Sequence, residues 1–111
     1  MSSTSSLSVA NQTYVDGGHF DLDAGTYLVI AHSEWASNST GARSHCINTS
    51  VASSSNSTSF VHSGRSSGVV RLTSMVMLHP TQTTTYYLVL YQNSGGSLNS
   101  SARKVRVVQL A

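Results

Sequence analysis

Turn-forming clusters interrupt this chain of 111 residues so often that no long element fits between them. Asp16-Gly17-Gly18, Ala24-Gly25, residues 38–41, residues 53–59, Ser63-Gly64, Ser67-Gly68, His79-Pro80-Thr81 and residues 93–97 cut it into short runs rich in β-branched and aromatic residues. Glycine supplies positive φ, proline a preset φ, and Asn, Asp and Ser hydrogen-bond their own backbone, so each cluster has a physical reason to turn. Short runs at such intervals are the pattern of a sandwich or barrel. No stretch sustains apolar residues at a 3.6-residue period, so no helix is expected.

The runs read as seven or eight strands: residues 7–15 (weak), 19–22, 26–35, 42–48, 57–62, 69–78, 85–92 and 104–110. In the third, Tyr27, Val29, Ala31, Ser33 and Trp35 share one face, and Leu28, Ile30, His32 and Glu34 the other, because successive side chains alternate across a strand. In residues 69–78 the shared face is Val70, Leu72, Val76 and Leu78. Residues 1–13 read as a Ser/Thr-rich lead-in, partly disordered or forming a first strand, and 14–111 as one β-sandwich domain. Residues 50–59 read as a low-complexity connecting loop.

Three runs are apolar on both faces at their centres: residues 28–31, 75–78 and 86–91. An antiparallel sandwich normally leaves one face wet and its strands alternating. Two-sided apolarity therefore calls for a cover, and in a chain of this length without helices the available cover is another subunit.

Charge is sparse. Asp, Glu, Lys and Arg make up 9% of the chain, against about 25% in ordinary domains. Six cations against four anions give a net charge of +2, too little to point to nucleic acid. The one cluster, Arg103, Lys104 and Arg106, reads as a solvated strand face. No apolar run reaches the roughly 18 residues that would suggest membrane insertion.

Little in the sequence points to chemistry. The single cysteine, Cys46, excludes an intrachain disulfide and reads as a small buried hydrophobe. The five histidines, His19, His32, His45, His62 and His79, show no zinc-ligand spacing. His32 and Glu34 share a face and could share a metal, but a polar end to an apolar face is preferred. Asp16, Asp21 and Asp23 could hold Ca²⁺; turn capping is preferred. A small hydrolase using Cys46 or His32 is weighed and set aside, so no catalytic residue, metal or cofactor is expected. Sequons occur at Asn11, Asn38, Asn48, Asn56 and Asn99, but glycosylation is not expected.

The order of motifs resembles a known family. Phe20-Asp21-Leu22-Asp23-Ala24-Gly25-Thr26-Tyr27-Leu28-Val29, the following strand to Trp35, the Asn-rich turn and Gly41-Ala42-Arg43 are similar to the entry of the central strands of the C1q/TNF-like jelly roll. Residues 86–96 resemble its penultimate strand and turn, and residues 105–110 its final strand. The resemblance implies an all-β antiparallel jelly-roll sandwich forming a homotrimer, as at the tips of phage fibres and bacterial collagen-like proteins. It implies recognition of a cell-surface receptor or glycan, or a trimerising cap on a fibre, at a virion or extracellular surface. Leu28, Ile30, Met75, Met77, Tyr86, Leu88 and Leu90 become the expected trimer interface. Trp35, Asn38, Arg43 and Tyr91 become the candidate ligand-binding residues, although a core role for Trp35 is preferred over stacking on a sugar.

Overall fold

A computed structural model describes residues 1–38, 40–51, 61–63 and 68–111, with backbone alone for 61–63. Among the described residues nine strands run in order: β1 (Ser2–Ser3), β2 (Leu7–Val9), β3 (Val15–Leu22), β4 (Tyr27–Trp35), β5 (Arg43–Asn48), β6 (Val61–Ser63), β7 (Val70–Leu78), β8 (Thr84–Gln92) and β9 (Leu98–Gln109). Every pairing is antiparallel. One sheet has the order β1-β9-β4-β7, with β2 also on β9, and the other β3-β8-β5-β6. No helix occurs among the described residues. The chain is an all-β antiparallel sandwich. From β3 onward every connection crosses between the sheets except the one between β5 and β6, an order compatible with a jelly roll. Residues 52–59 of the loop expected at 50–59, most of the strand expected at 57–62, Asn56 and Gly64 of the Ser63-Gly64 turn lie outside the described residues.

The long strands form in runs rich in β-branched and aromatic residues, and along β4 and β7 burial alternates. β4 is the clearest case: Tyr27, Val29, Ala31, Ser33 and Trp35 are buried, and the residues between them are half-exposed. β7 turns Val70, Leu72, Val76 and Leu78 inward. These side chains meet Leu22, Ile47, Tyr86, Leu88 and Leu90 from the opposite sheet in one continuous core.

The ends of the strands are held by specific contacts. Before β4, the Tyr27 hydroxyl donates to the Asp23 carbonyl (2.9 Å), and the Gly25 amide donates to the Pro80 carbonyl (3.0 Å). Gln92, fully buried, donates from Nε2 to the carbonyls of Val9 (2.8 Å) and Gly96 (2.7 Å), which ties β2 to the β8–β9 turn.

Several expectations need correction. Asp16-Gly17-Gly18 is a bulge inside β3 and not a turn: the register with β8 shifts between Asp16 and His19. Gly18 adopts φ 143° there, a conformation side chains rarely take, and its amide donates to Asp16 Oδ1 (2.8 Å). The expected first strand at 7–15 is two pieces, since β2 ends at Val9 and β3 begins at Val15. The last strand begins at Leu98 and not at 104, because Ser100 turns inward and donates to the Glu34 carbonyl (2.9 Å). Tyr86, Leu88 and Leu90, expected at a subunit contact, point into the sandwich. Leu88 and Leu90 are 0% exposed and Tyr86 is 8% exposed, so the chain's own second sheet covers them.

Gly41 closes the turn before β5 with φ 77°, and an added Cβ would overlap the Asn93 carbonyl. The Asn93 side chain in turn accepts from the Ala42 amide (2.6 Å). Gly41→Ala is expected to destabilise the fold by about 2 kcal/mol, from backbone strain plus the collision. Urea unfolding checks this; a shift under about 0.5 kcal/mol, the size of an ordinary surface substitution, would contradict the turn geometry.

Candidate functional site

The most distinctive surface is the outer face of the β9-β4-β7 sheet. Antiparallel register sets its side chains in rungs across three strands: Val108–Leu28–Met77, Arg106–Ile30–Met75, Lys104–His32–Thr73 and Ala102–Glu34–Arg71. Opposed residues on one face lie close enough to interact, so the face grades from apolar at one end to charged at the other. Met75 is 65% exposed, Met77 44% and Val108 48%, while Leu28 and Ile30 are half-buried. A depression of about 300 Å³ sits at the transition, lined by Ile30, His32, Thr73, Lys104 and Arg106.

Hydrogen bonding orders the charged end. Arg71 Nε donates to Glu34 Oε2 (2.9 Å), and the Ser101 hydroxyl donates to Glu34 Oε1 (3.1 Å). His32 Nδ1 lies 3.0 Å from the Thr73 hydroxyl. His32 and Glu34 are therefore each engaged with other groups and not with one another. The basic cluster read from sequence divides by strand parity. Arg103 is buried, donating to the Ser100 carbonyl (2.8 Å) and the Ser3 hydroxyl (3.1 Å), while Lys104 and Arg106 face outward.

The four residues nominated for ligand binding do not form one exposed site. Trp35 is fully buried in the core. Arg43 is also fully buried, and its Nη2 donates to the Asn38 carbonyl (2.6 Å), clamping the β4–β5 connection. Asn38 is half-buried, and its Oδ1 accepts from the Thr40 amide (2.8 Å). Tyr91 lies on the opposite sheet's outer face against Tyr14, with ring centroids 4.7 Å apart. The carboxylates Asp16, Asp21 and Asp23 are each bonded to a neighbour: Gly18 and His19, Thr85, and Thr83.

No protein-family model and no curated protein matches the chain.

A second constellation lies between the sheets. His45, 1% exposed on β5, places Nδ1 2.6 Å from the Ser33 hydroxyl of β4 and Nε2 2.9 Å from the Ser74 hydroxyl of β7. Trp35 Nε1 donates to the same Ser33 oxygen (3.0 Å). One assignment satisfies every group: Trp35 to Ser33, Ser33 to Nδ1, and Nε2–H to Ser74. Protonating Nδ1 would turn an acceptor into a second donor facing Ser33. Ser33 is fully buried and Cys46 is 1% exposed, so neither presents a nucleophile to solvent. The arrangement works as a polar brace.

Burial, with a smaller contribution from the charge of His32, lowers the His45 pKa from 6.5 to about 4. The unfolded chain thus binds a proton that the folded chain refuses between those values. The stability from this group is complete above pH 6.5 and is lost as pH falls toward 4. The expected loss between pH 7 and 4.5 is on the order of 2–3 kcal/mol, and His45→Asn should abolish most of that dependence. NMR titration of His45 reads the pKa directly; a midpoint at or above 6.5 would refute the brace's neutral state.

Proposed function

We propose that this chain is a non-enzymatic, C1q/TNF-like jelly-roll head that forms a homotrimer at the end of a viral (phage) fibre or an adhesin. In this reading it stands on a virion or extracellular surface and binds a cell-surface glycan or protein receptor. The observation that carries the proposal is the pair of apolar rungs, Val108–Leu28–Met77 and Ile30–Met75, open on strands β9, β4 and β7 of one sheet. Exposed apolar side chains gathered on one face mark an interaction surface. Methionine, flexible and polarisable, suits a contact that must adapt to its partner. Identical chains each present the same patch, and a closed cyclic assembly can cover every copy. The crossing order of the strands supports the jelly-roll part of the reading.

With Trp35 and Arg43 internal, recognition falls to loops and to the grooves between subunits. The same burial favours one alternative, a purely structural protein that trimerises, caps or decorates a virion or fibre. Binding to host cells or to a glycan array by the assembled protein supports the receptor-binding reading; silence across broad panels supports the structural one.

Light scattering on the native chain is expected to give three times the chain mass. Met75→Glu with Met77→Glu should yield monomers with an unchanged β-type circular dichroism spectrum, because both side chains stand outside the core. A native protein that stays monomeric at tens of micromolar overturns the assembly.

A further inference from the structure

We propose that the depression over β9, β4 and β7 binds a small oxyanion (phosphate, sulfate or carboxylate) through Lys104, Arg106 and His32, with the Thr73 hydroxyl orienting the His32 ring. The site shares Ile30 with the subunit contact proposed above, but its ligand-binding groups, His32, Lys104 and Arg106, are polar side chains outside that apolar set. Its chemistry follows from what lines it. Lys104 and Arg106 stand two residues apart on the outer face of β9, about 7 Å along the strand. His32 is directly opposite Lys104, and Ile30 directly opposite Arg106. No carboxylate lines the depression.

The nearest acid on this face, Glu34, is occupied on both oxygens by Arg71 and Ser101. Among the described residues, neither Lys104 nor Arg106 has an ion-pair partner. In a chain with only six cations, two lie side by side with no anion between them. Such like charges repel, and an oxyanion between them removes the repulsion and accepts hydrogen bonds from both. With the Thr73 hydroxyl donating to His32 Nδ1, the ring is oriented and carries its proton on Nε2, which can donate to an anion. Ile30 and the neighbouring apolar rungs lower the local dielectric, which strengthens each of these contacts.

Size narrows the ligand further. A volume of about 300 Å³ is at the small end for ligand sites. It suits a free oxyanion or one acidic monosaccharide, and not an extended polyanion.

The test is a ¹⁵N-NMR titration of the native protein with sodium phosphate, sodium sulfate, sodium glucuronate and glucose, with ionic strength held constant by NaCl. Saturable shifts at His32, Thr73, Lys104 and Arg106 are expected with the anions and not with glucose. Tighter binding of glucuronate than of the inorganic anions assigns the site to acidic sugars; the reverse order assigns it to phosphate- or sulfate-type groups. Lys104→Gln with Arg106→Gln should weaken binding at least tenfold without changing the mass by light scattering. Shifts that do not saturate, or that survive the double substitution, overturn the site. Met77→Glu, one rung away from the depression, separates the two proposals: a variant that turns monomeric and still binds anion shows that the site stands without the subunit contact, and a native trimer that binds none overturns the site and leaves the subunit contact standing.

Discussion

Strand β4 is hydrogen-bonded on both sides, to β7 from Tyr27–Leu78 through Trp35–Val70 and to β9 from Tyr27–Gln109 through Trp35–Ser100. A strand held on both sides cannot slip by one residue without exchanging its inner and outer side chains. That pairing decides which residues build the core and which are left outside. Val29, Ala31 and Trp35 go in. Leu28 and Ile30 go out, and their neighbours Met75, Met77 and Val108 follow them. The apolar rungs and the cationic depression are both products of this one register.

Charge in this protein is scarce, and much of it is structural. Arg43 and Arg103 are buried and donate to main-chain carbonyls. Arg71 is paired with Glu34. The sandwich interior relies on neutral polar groups, with His45 bridging two serines and Gln92 bridging two carbonyls. Buried polar groups stabilise a fold only when each finds a partner. Lys104 and Arg106 therefore stand apart as cations whose positions the fold does not account for.

Much of this was legible from strand parity. β7 sets Val70, Leu72, Val76 and Leu78 against Arg71 and Thr73, and β4 sets Tyr27, Val29, Ala31 and Trp35 against His32 and Glu34, so both inner faces follow from parity despite the apolar outer residues Leu28, Ile30, Met75 and Met77. β8 does not alternate: residues 86–91 are apolar at every position, so parity alone offers no side. The inner set Tyr86, Leu88 and Leu90 is decided only by pairing with β3 and β5. Asp16-Gly17-Gly18 carries the composition of both a turn and a bulge, and the long-range pairing of β3 with β8 selects the bulge. The depression was missed because Arg103, Lys104 and Arg106 look like one cluster in sequence, while alternation sends the first inward and the other two outward. Trp35 shares a face with Tyr27, Val29 and Ala31, so its preferred core role was legible from parity, while its hydrogen bond to Ser33 was not.

The position of β9 also bears on how the chain folds. It lies between β4 and the two N-terminal strands, pairing Leu28 with Val108 and Leu7 with Ser100. Neither contact can form until β9 has been synthesised. Such non-local pairing is slow, because loop-closure entropy is lost before any contact compensates it. In that interval β4 has an unpaired edge where β9 will dock, and the apolar inner faces of both sheets lack part of their cover on a growing chain, the state in which β-rich proteins aggregate. A surface of serine and threonine hydroxyls, with few charges to repel neighbours, gives little protection then. Yield of folded protein should therefore depend on expression rate and temperature more steeply than its equilibrium stability suggests.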